Sequence, residues 1–526
     1  MKVAIVAPPY PLEEAPSPPL GVTYVAAAFE ATGAEVRIFD YIVSQYSREK
    51  LEGEINLFGP KVIGATSVTM NFPGAVRIIE DAKDIDPSIL TLMGGPHVSF
   101  DAVNTLKRHP ALDIIVMGEG ERIIEELVSV LRTGGDLSSI RGIAFRKNGE
   151  IVVTGARELV DDLDSLPRPA RHLLPISRYQ ALGFPVSIIT GRGCPNACIF
   201  CLGRRMVGKR VRHRDPVAVV DEIEDILEWG FTRINVADDL FTATPAKVKA
   251  VCEEIGRRGL RFAWSAFSRV NTITRELIAM MRDTGCDAVS FGIESGNPEM
   301  LKRVRKGITL EQAREAVQMC KDEGVLAHAS FMVGLPGETP ETLEETRVFA
   351  ESLGILYGFH FLAPFPGTTV REQVHRYDLE ILTDDWSRYD ANSAIVRTSA
   401  LSPEAMNEFV AAIEKEHRAI WEESLKRYYD GTASQNERVS VEGQLRTQII
   451  FKILSQDLIE RFGSVDGESD ALGLLCRRAG AAVGGDVKLV ERTVRSLADK
   501  GFIKIREDGA ERRSWFWTHN GRVDFL

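Results

Sequence analysis

Val186-Ser187-Ile188-Ile189-Thr190 is a short apolar run, and Gly191-Arg192-Gly193-Cys194-Pro195-Asn196-Ala197-Cys198-Ile199-Phe200-Cys201 follows it without a break. The run reads as a strand, and the glycines and proline after it as a loop. Three cysteines share that loop at the spacing C-x3-C-x2-C. Thiolates are soft ligands suited to iron–sulfur clusters or zinc. A closed zinc site needs a fourth ligand, and the next candidate is His213, in a strongly basic stretch. A four-iron cluster held by three cysteines keeps one iron open for chemistry.

Downstream of the loop, helical stretches end at Gly230, Gly259, Gly285, Gly324 and Gly354. Glycine just past a helix takes the left-handed conformation without steric cost, so it marks the stop. After these come the strands Arg233–Ala237, Arg261–Ser265, Ala288–Ile293, Ala327–Val333 and Tyr357–Leu362. With Val186–Thr190 they make six βα units. Right-handed crossovers curl six such units into a partial (βα)6 TIM barrel, whose active site lies on the carboxyl-end loops.

Upstream, Val3–Ala7, Glu35–Asp40, Val62–Thr66, Ile89–Met93 and Ile114–Met117 alternate with the amphipathic stretches Gly21–Thr32, Pro73–Lys83 and Glu121–Arg132. This is the pattern of a Rossmann-like parallel sheet covered on both faces. Ligands in such sheets sit at the carboxyl ends of the strands. The loops there are Pro8-Pro9-Tyr10, Pro18-Pro19-Leu20-Gly21, Ser67-Val68-Thr69, Gly94-Gly95-Pro96-His97 and Gly118-Glu119-Gly120-Glu121, rich in glycine that lets a backbone approach a ligand. The first loop has no G-x-G-x-x-G, and the chain has no Walker A pattern, so neither a nicotinamide nor a P-loop site is indicated.

The expected α/β organisation is a sheet domain over 1–135, a connector over 136–180, a barrel over 181–370, a helical extension over 371–433 and a small unit over 434–526. The connector holds a hairpin over Ile143–Val153. The extension holds a long helix, Ser402–Leu425. The last unit reads as helices Gln444–Arg461, Ser469–Ala479 and Val487–Lys500 with strands Phe502–Arg506 and Arg513–Trp517, a winged-helix-like pattern. Its 15 basic and 14 acidic residues make no DNA-binding patch. Over all 526 residues, 64 basic and 75 acidic side chains give a net charge of −11, which argues against nucleic acid as a partner. Seven cysteines, sparse and odd in number, argue for a reducing compartment, the cytoplasm. The apolar run at the start stops at Pro8-Pro9, too short for a signal peptide, and no run of about 18 apolar residues suggests a transmembrane helix. Cys252, Cys286, Cys320 and Cys476 are scattered without ligand spacing and read as buried structural thiols.

The motif Cys194-x3-Cys198-x-Phe200-Cys201 after the first barrel strand resembles the radical SAM superfamily. The resemblance implies a [4Fe–4S] cluster on Cys194, Cys198 and Cys201 that binds S-adenosylmethionine (SAM), with one electron giving a 5′-deoxyadenosyl radical. It further implies SAM contacts at Phe200, at Asp238 and Asp239 after the second strand, at Ser265 and Arg269, at Glu294 in Phe291-Gly292-Ile293-Glu294-Ser295-Gly296, and at Gly334 in Gly334-Leu335-Pro336-Gly337-Glu338. The first domain resembles the cobalamin-binding domain of one class of these enzymes, which implies cobalamin contacts at Pro9, Leu20, Gly21, Ser67, Thr69, Gly94, Gly95, Gly118 and Glu119. The D-x-H-x-x-G motif that supplies a cobalt-ligating histidine is absent, so the resemblance implies no protein histidine below cobalt. The function implied is a cobalamin-dependent radical SAM methyltransferase, acting on an unactivated carbon through methylcobalamin. The alternatives are a non-methylating ring closure or C–C bond formation, and a metal-bearing regulatory protein. The partners implied are a small-molecule, lipid, tetrapyrrole or peptide substrate and an electron donor such as flavodoxin or ferredoxin.

Overall fold

Strand β1 (Lys2–Ala7) shows how the first sheet is built: Val3, Ile5 and Ala7 enter one hydrophobic core, while Ala4 and Val6 enter another on the opposite face. The side chains of a strand alternate, so a run apolar at every position serves two cores. In this computed structural model, which describes residues 1–10, 16–465, 470–507 and 513–518, β1 lies centrally between β2 (Glu35–Asp40) and β3 (Val62–Thr66). β4 (Leu90–Gly94) and β5 (Ile114–Val116) continue the sheet, parallel throughout. The sheet does not stop near residue 135. The hairpin expected in the connector forms β6 (Ile143–Lys147) and β7 (Glu150–Val153), and β6 pairs antiparallel with β5. Ile143, Ala144 and Phe145 are fully buried because they complete the cores of that sheet, a long-range pairing that the local sequence does not announce.

The second sheet holds β8 (Val186–Ile188), β11 (Arg233–Val236), β12 (Ala263–Ser268), β13 (Cys286–Glu294), β14 (Leu326–Val333) and β15 (Leu356–Phe361), all parallel in that spatial order. β8 and β15 form no ladder with each other, so the barrel is open. Between β8 and β11, the two-residue strands β9 (Gly191–Arg192) and β10 (Arg212–His213) pair antiparallel and close the base of the cysteine loop. Gly193, at φ 117°, is required there, because a Cβ would collide with the Arg210 carbonyl oxygen. The third barrel strand runs to Ser268 rather than ending at Ser265. Ser265 therefore lies within the strand, where its Oγ donates to Asn235 Oδ1 at 3.2 Å.

The helix Pro403–Tyr429, capped by Ser402, leads to the last unit. There the expected helix Gln444–Arg461 begins earlier and is broken. It starts at Gln435, where Ser434 and Glu437 form a capping box, and stops at Ser455. Asp457 then takes a left-handed conformation (φ 47°), and its carboxylate accepts from Lys50 Nζ at 2.9 Å and from the Gln45 amide at 3.3 Å. The helices Ala471–Val483 and Val487–Asp499 and the antiparallel ribbon Ile503–Glu507 with Arg513–Trp517 complete the unit. Ser469, the expected start of the middle helix, lies outside the described residues. Among the described residues, no helix is long and apolar enough to cross a membrane.

Candidate active site

The three cysteines line one cavity of about 450 Å3 at the carboxyl ends of the barrel strands. Each sulfur faces one N–H donor from a different segment. Asn196 Nδ2 lies 3.4 Å from Cys194 Sγ, Arg269 Nη1 lies 3.7 Å from Cys198 Sγ, and the Gly203 amide lies 3.4 Å from Cys201 Sγ. Burial pushes the Cys201 thiol up to about 11, and the Gly203 amide opposes that rise. Among the described residues, no group of three or more His, Cys, Asp or Glu side chains is gathered closely enough to hold a single metal ion. His213, the possible fourth zinc ligand, turns away and pairs with Thr244 Oγ1 at 2.9 Å. Three soft donors on one wall of an otherwise roomy cavity fit a cluster with space beside it for a second ligand. The other four cysteines are buried and free.

Phe200, Asp239, Arg269 and Glu294 share the cavity with the cysteines. Asp239 accepts from the Gly193 amide at 3.3 Å, and burial raises its carboxyl above the usual range. Glu294, at the end of β13, has φ 74° and pairs with Lys306 Nζ at 2.7 Å. Lys306 also lines the cavity, and its carbonyl accepts from Arg269 Nη2. Nothing in the barrel pattern pointed to Lys306; its only sequence signal is a cation in the loop after the short helix Pro298–Arg303 that follows β13.

Three expected SAM residues lie elsewhere. Asp238 turns back toward the end of β8, accepting from the Thr190 amide at 2.6 Å and Thr190 Oγ1 at 2.5 Å, and burial pushes its carboxyl up to about 6. It holds the entry to the cysteine loop rather than facing the cavity. Ser265 lies deeper in its strand. Gly334 packs beside Val396 and Met406 and donates its amide to Glu338 Oε2 at 2.6 Å. The Glu338 carboxyl is wholly buried, with Oε1 unpartnered, and burial pushes it up to about 8.

A second cavity, about 300 Å3, opens at the carboxyl ends of β1, β3, β4 and β5. Ile5, Phe29, Leu92, Val116 and Ile124 give it apolar walls, and six of the nine residues expected there, Leu20, Gly21, Gly94, Gly95, Gly118 and Glu119, line it. Gly95, at φ 103°, passes so close to the Ser67 carbonyl that no side chain fits. Pro9, Ser67 and Thr69 are not among the lining residues. Ser67 is fully buried and its Oγ has no partner, an orphaned donor beside the cavity. Thr69 Oγ1 pairs with His97 Nδ1 at 3.2 Å. The His97 ring stacks on Phe72 at 4.0 Å and meets Trp386 edge-on at 4.9 Å. Burial pushes it down to about 3, so it is neutral. Glu119 is spent on Arg212, whose guanidinium donates at 2.7 and 2.9 Å, and on the Val160 amide at 2.8 Å. It binds the sheet to the cysteine-loop hairpin. A glycine-edged apolar pocket with one orphaned hydroxyl nearby fits an apolar portion of a bound cofactor.

The comparisons with known proteins agree with both halves. The family model described as "Radical SAM superfamily" matches residues 188–350, and that described as "B12 binding domain" matches residues 14–128. "Uncharacterized methyltransferase PH0819" of Pyrococcus horikoshii is 34% identical over 420 residues, covering 78% of this chain and 91% of that protein. The anaerobic magnesium-protoporphyrin IX monomethyl ester cyclase of Rubrivivax gelatinosus is 30% identical over 445 residues, covering 82% and 78%. Among solved structures, the radical SAM methyltransferase TsrM of Kitasatospora setae, with cobalamin and a [4Fe-4S] cluster bound, aligns with a TM-score of 0.63 at 22% identity over 78% of this chain and 84% of that one.

Proposed function

This chain belongs to the radical SAM superfamily and carries its B12-binding domain, and from that membership we propose that it is a cobalamin-dependent methyltransferase acting on an unactivated carbon. The observation that carries the reading is the pairing of two cavities, one walled by three cysteines and one apolar and glycine-edged, joined through the cysteine-loop hairpin. When bound, the cluster supplies an electron that cleaves SAM, and cobalamin supplies the methyl group.

Cys194, Cys198 and Cys201 would hold the cluster. Phe200, Asp239, Arg269 and Glu294 would hold SAM, with Asp238 and Gly334 fixing the loops around it and Ser265 beneath it. Leu20, Gly21, Gly94, Gly95 and Gly118 would cradle cobalamin, with Ser67 as a donor. The chain's own work is to position these groups and keep water out. Arg204 and Arg305 line the cluster cavity and are exposed, which supports an acidic electron carrier, flavodoxin or ferredoxin, as donor. Seven cysteines, with all four outside the cluster loop buried and free, support a cytoplasmic location.

Incubation of the reconstituted protein with dithionite, SAM and hydroxocobalamin should form both S-adenosylhomocysteine and 5′-deoxyadenosine. 5′-Deoxyadenosine alone would favour the second reading, a ring closure or C–C coupling, which the similarity to the cyclase supports. Neither product would overturn both.

A further inference from the structure

The pocket at the edge of the first sheet is not built by that sheet alone. Arg192, two residues before Cys194, lines it, and so do Met206 and Val207, five and six residues after Cys201. Both arms of the cysteine loop therefore form part of its wall. The preceding arm is fixed by charge. The Arg192 guanidinium lies 5.2 Å from the Tyr24 ring centre and donates to Glu121 at 2.6 Å. Its hairpin neighbour Arg212 clamps Glu119, and these four charged side chains are no more than 11% exposed. The following arm is the five-residue helix Gly203–Val207, too short to be stable by itself. Met206 and Val207 line the pocket, Arg212 Nη2 donates to the Val207 carbonyl at 2.9 Å, and Gly203 at the helix start donates to Cys201 Sγ.

We propose that Arg192, Met206 and Val207 are positioning residues that couple the two cofactor sites. A corrinoid filling the pocket orders the cysteine loop, and a loaded cluster in turn tightens the pocket. The coupling rests on the reading above that the pocket takes cobalamin. Because coupling between binding equilibria is reciprocal, each ligand changes the affinity for the other by the same factor.

The test titrates hydroxocobalamin into the full-length protein, iron-free and cluster-reconstituted, by visible absorbance. The cluster-loaded form should bind about tenfold more tightly, within the usual range of coupling. In chelator competition at equilibrium, hydroxocobalamin should raise the apparent affinity for the cluster iron by the same factor. Met206→Ala with Val207→Ala should bring the ratio toward one, and Met206→Leu with Val207 intact should restore it, because volume rather than sulfur makes the contact. Equal affinities for the two wild-type forms would overturn the coupling and leave the enzyme reading standing. A double variant weakened equally in both forms, its ratio unchanged, would reduce these side chains to pocket packing and overturn their role. Failure of hydroxocobalamin to bind either form would overturn the coupling and the cobalamin reading together, with 5′-deoxyadenosine formation still testing the radical SAM half.

Discussion

Lys306 Nζ stands 2.7 Å from Glu294 Oε1, and the two side chains are 7% and 10% exposed. A buried pair broken on one side leaves an uncompensated charge, at a cost of about 3–5 kcal/mol. Lys306→Ala should therefore lower the unfolding free energy read from denaturant titration by an amount in that range and weaken SAM binding, because Arg269 also loses the order of the carbonyl it donates to. Lys306→Met combined with Glu294→Gln should recover most of the stability without the SAM affinity. Equal stability of Lys306→Ala and the wild type would show that water already reaches the pair.

Replacing any one of Cys194, Cys198 or Cys201 with Ala should abolish the reconstituted cluster, measured as iron falling from about four per chain toward zero. Cys252→Ala, in a buried thiol of the barrel core, should keep full iron and lose only packing energy, about 1 kcal/mol. Iron loss on that substitution would place a fourth cysteine in the site.

Glu338 gives a pH signature. Its folded carboxyl titrates near 8, while the unfolded one titrates near the ordinary value of about 4.3. Between those values the native state binds the extra proton, so stability falls as pH rises through that window and levels off above about 8. Glu338→Gln keeps an acceptor for the Gly334 amide and removes the titration. Denaturant midpoints from pH 5 to 9 should slope less for the variant, which should be the more stable protein at pH 9. Parallel profiles would count against a protonated Glu338.

His97 is stacked on Phe72, held by Thr69 and neutral. His97→Phe should keep the packing and leave the nitrogen hyperfine pattern of bound cob(II)alamin unchanged. Loss of a histidine nitrogen signal from the wild-type spectrum would make His97 the lower ligand.

The parts legible in the sequence were those with local causes. Five glycine stops marked the barrel units, and the cysteine spacing marked the cluster loop, because left-handed caps and ligand spacings are set by a few adjacent residues. Most of the glycine-rich loop residues line their pocket for the same reason. What escaped was set by distant partners. Asp238 looked like a ligand residue but is claimed by Thr190, 48 positions away. Glu119 is claimed by Arg212, 93 positions away. Strand β6 joins a sheet whose five parallel strands are complete before it, and Ser265 sits mid-strand because β12 keeps pairing with β13 as far as Ser268. Spacing alone carries no record of such closures.

The contact of Asp457 with Lys50 spans 407 positions of sequence. A ribosome adding about 5–20 residues per second needs roughly 20–80 s between making the two. For that interval the lysine waits on a nascent chain, joined after its 178th residue by Arg178, which also reaches toward Asp457 at 3.5 Å. Termination between Tyr429 and Asp457 would release a chain with the residues of both cavities translated and this brace missing.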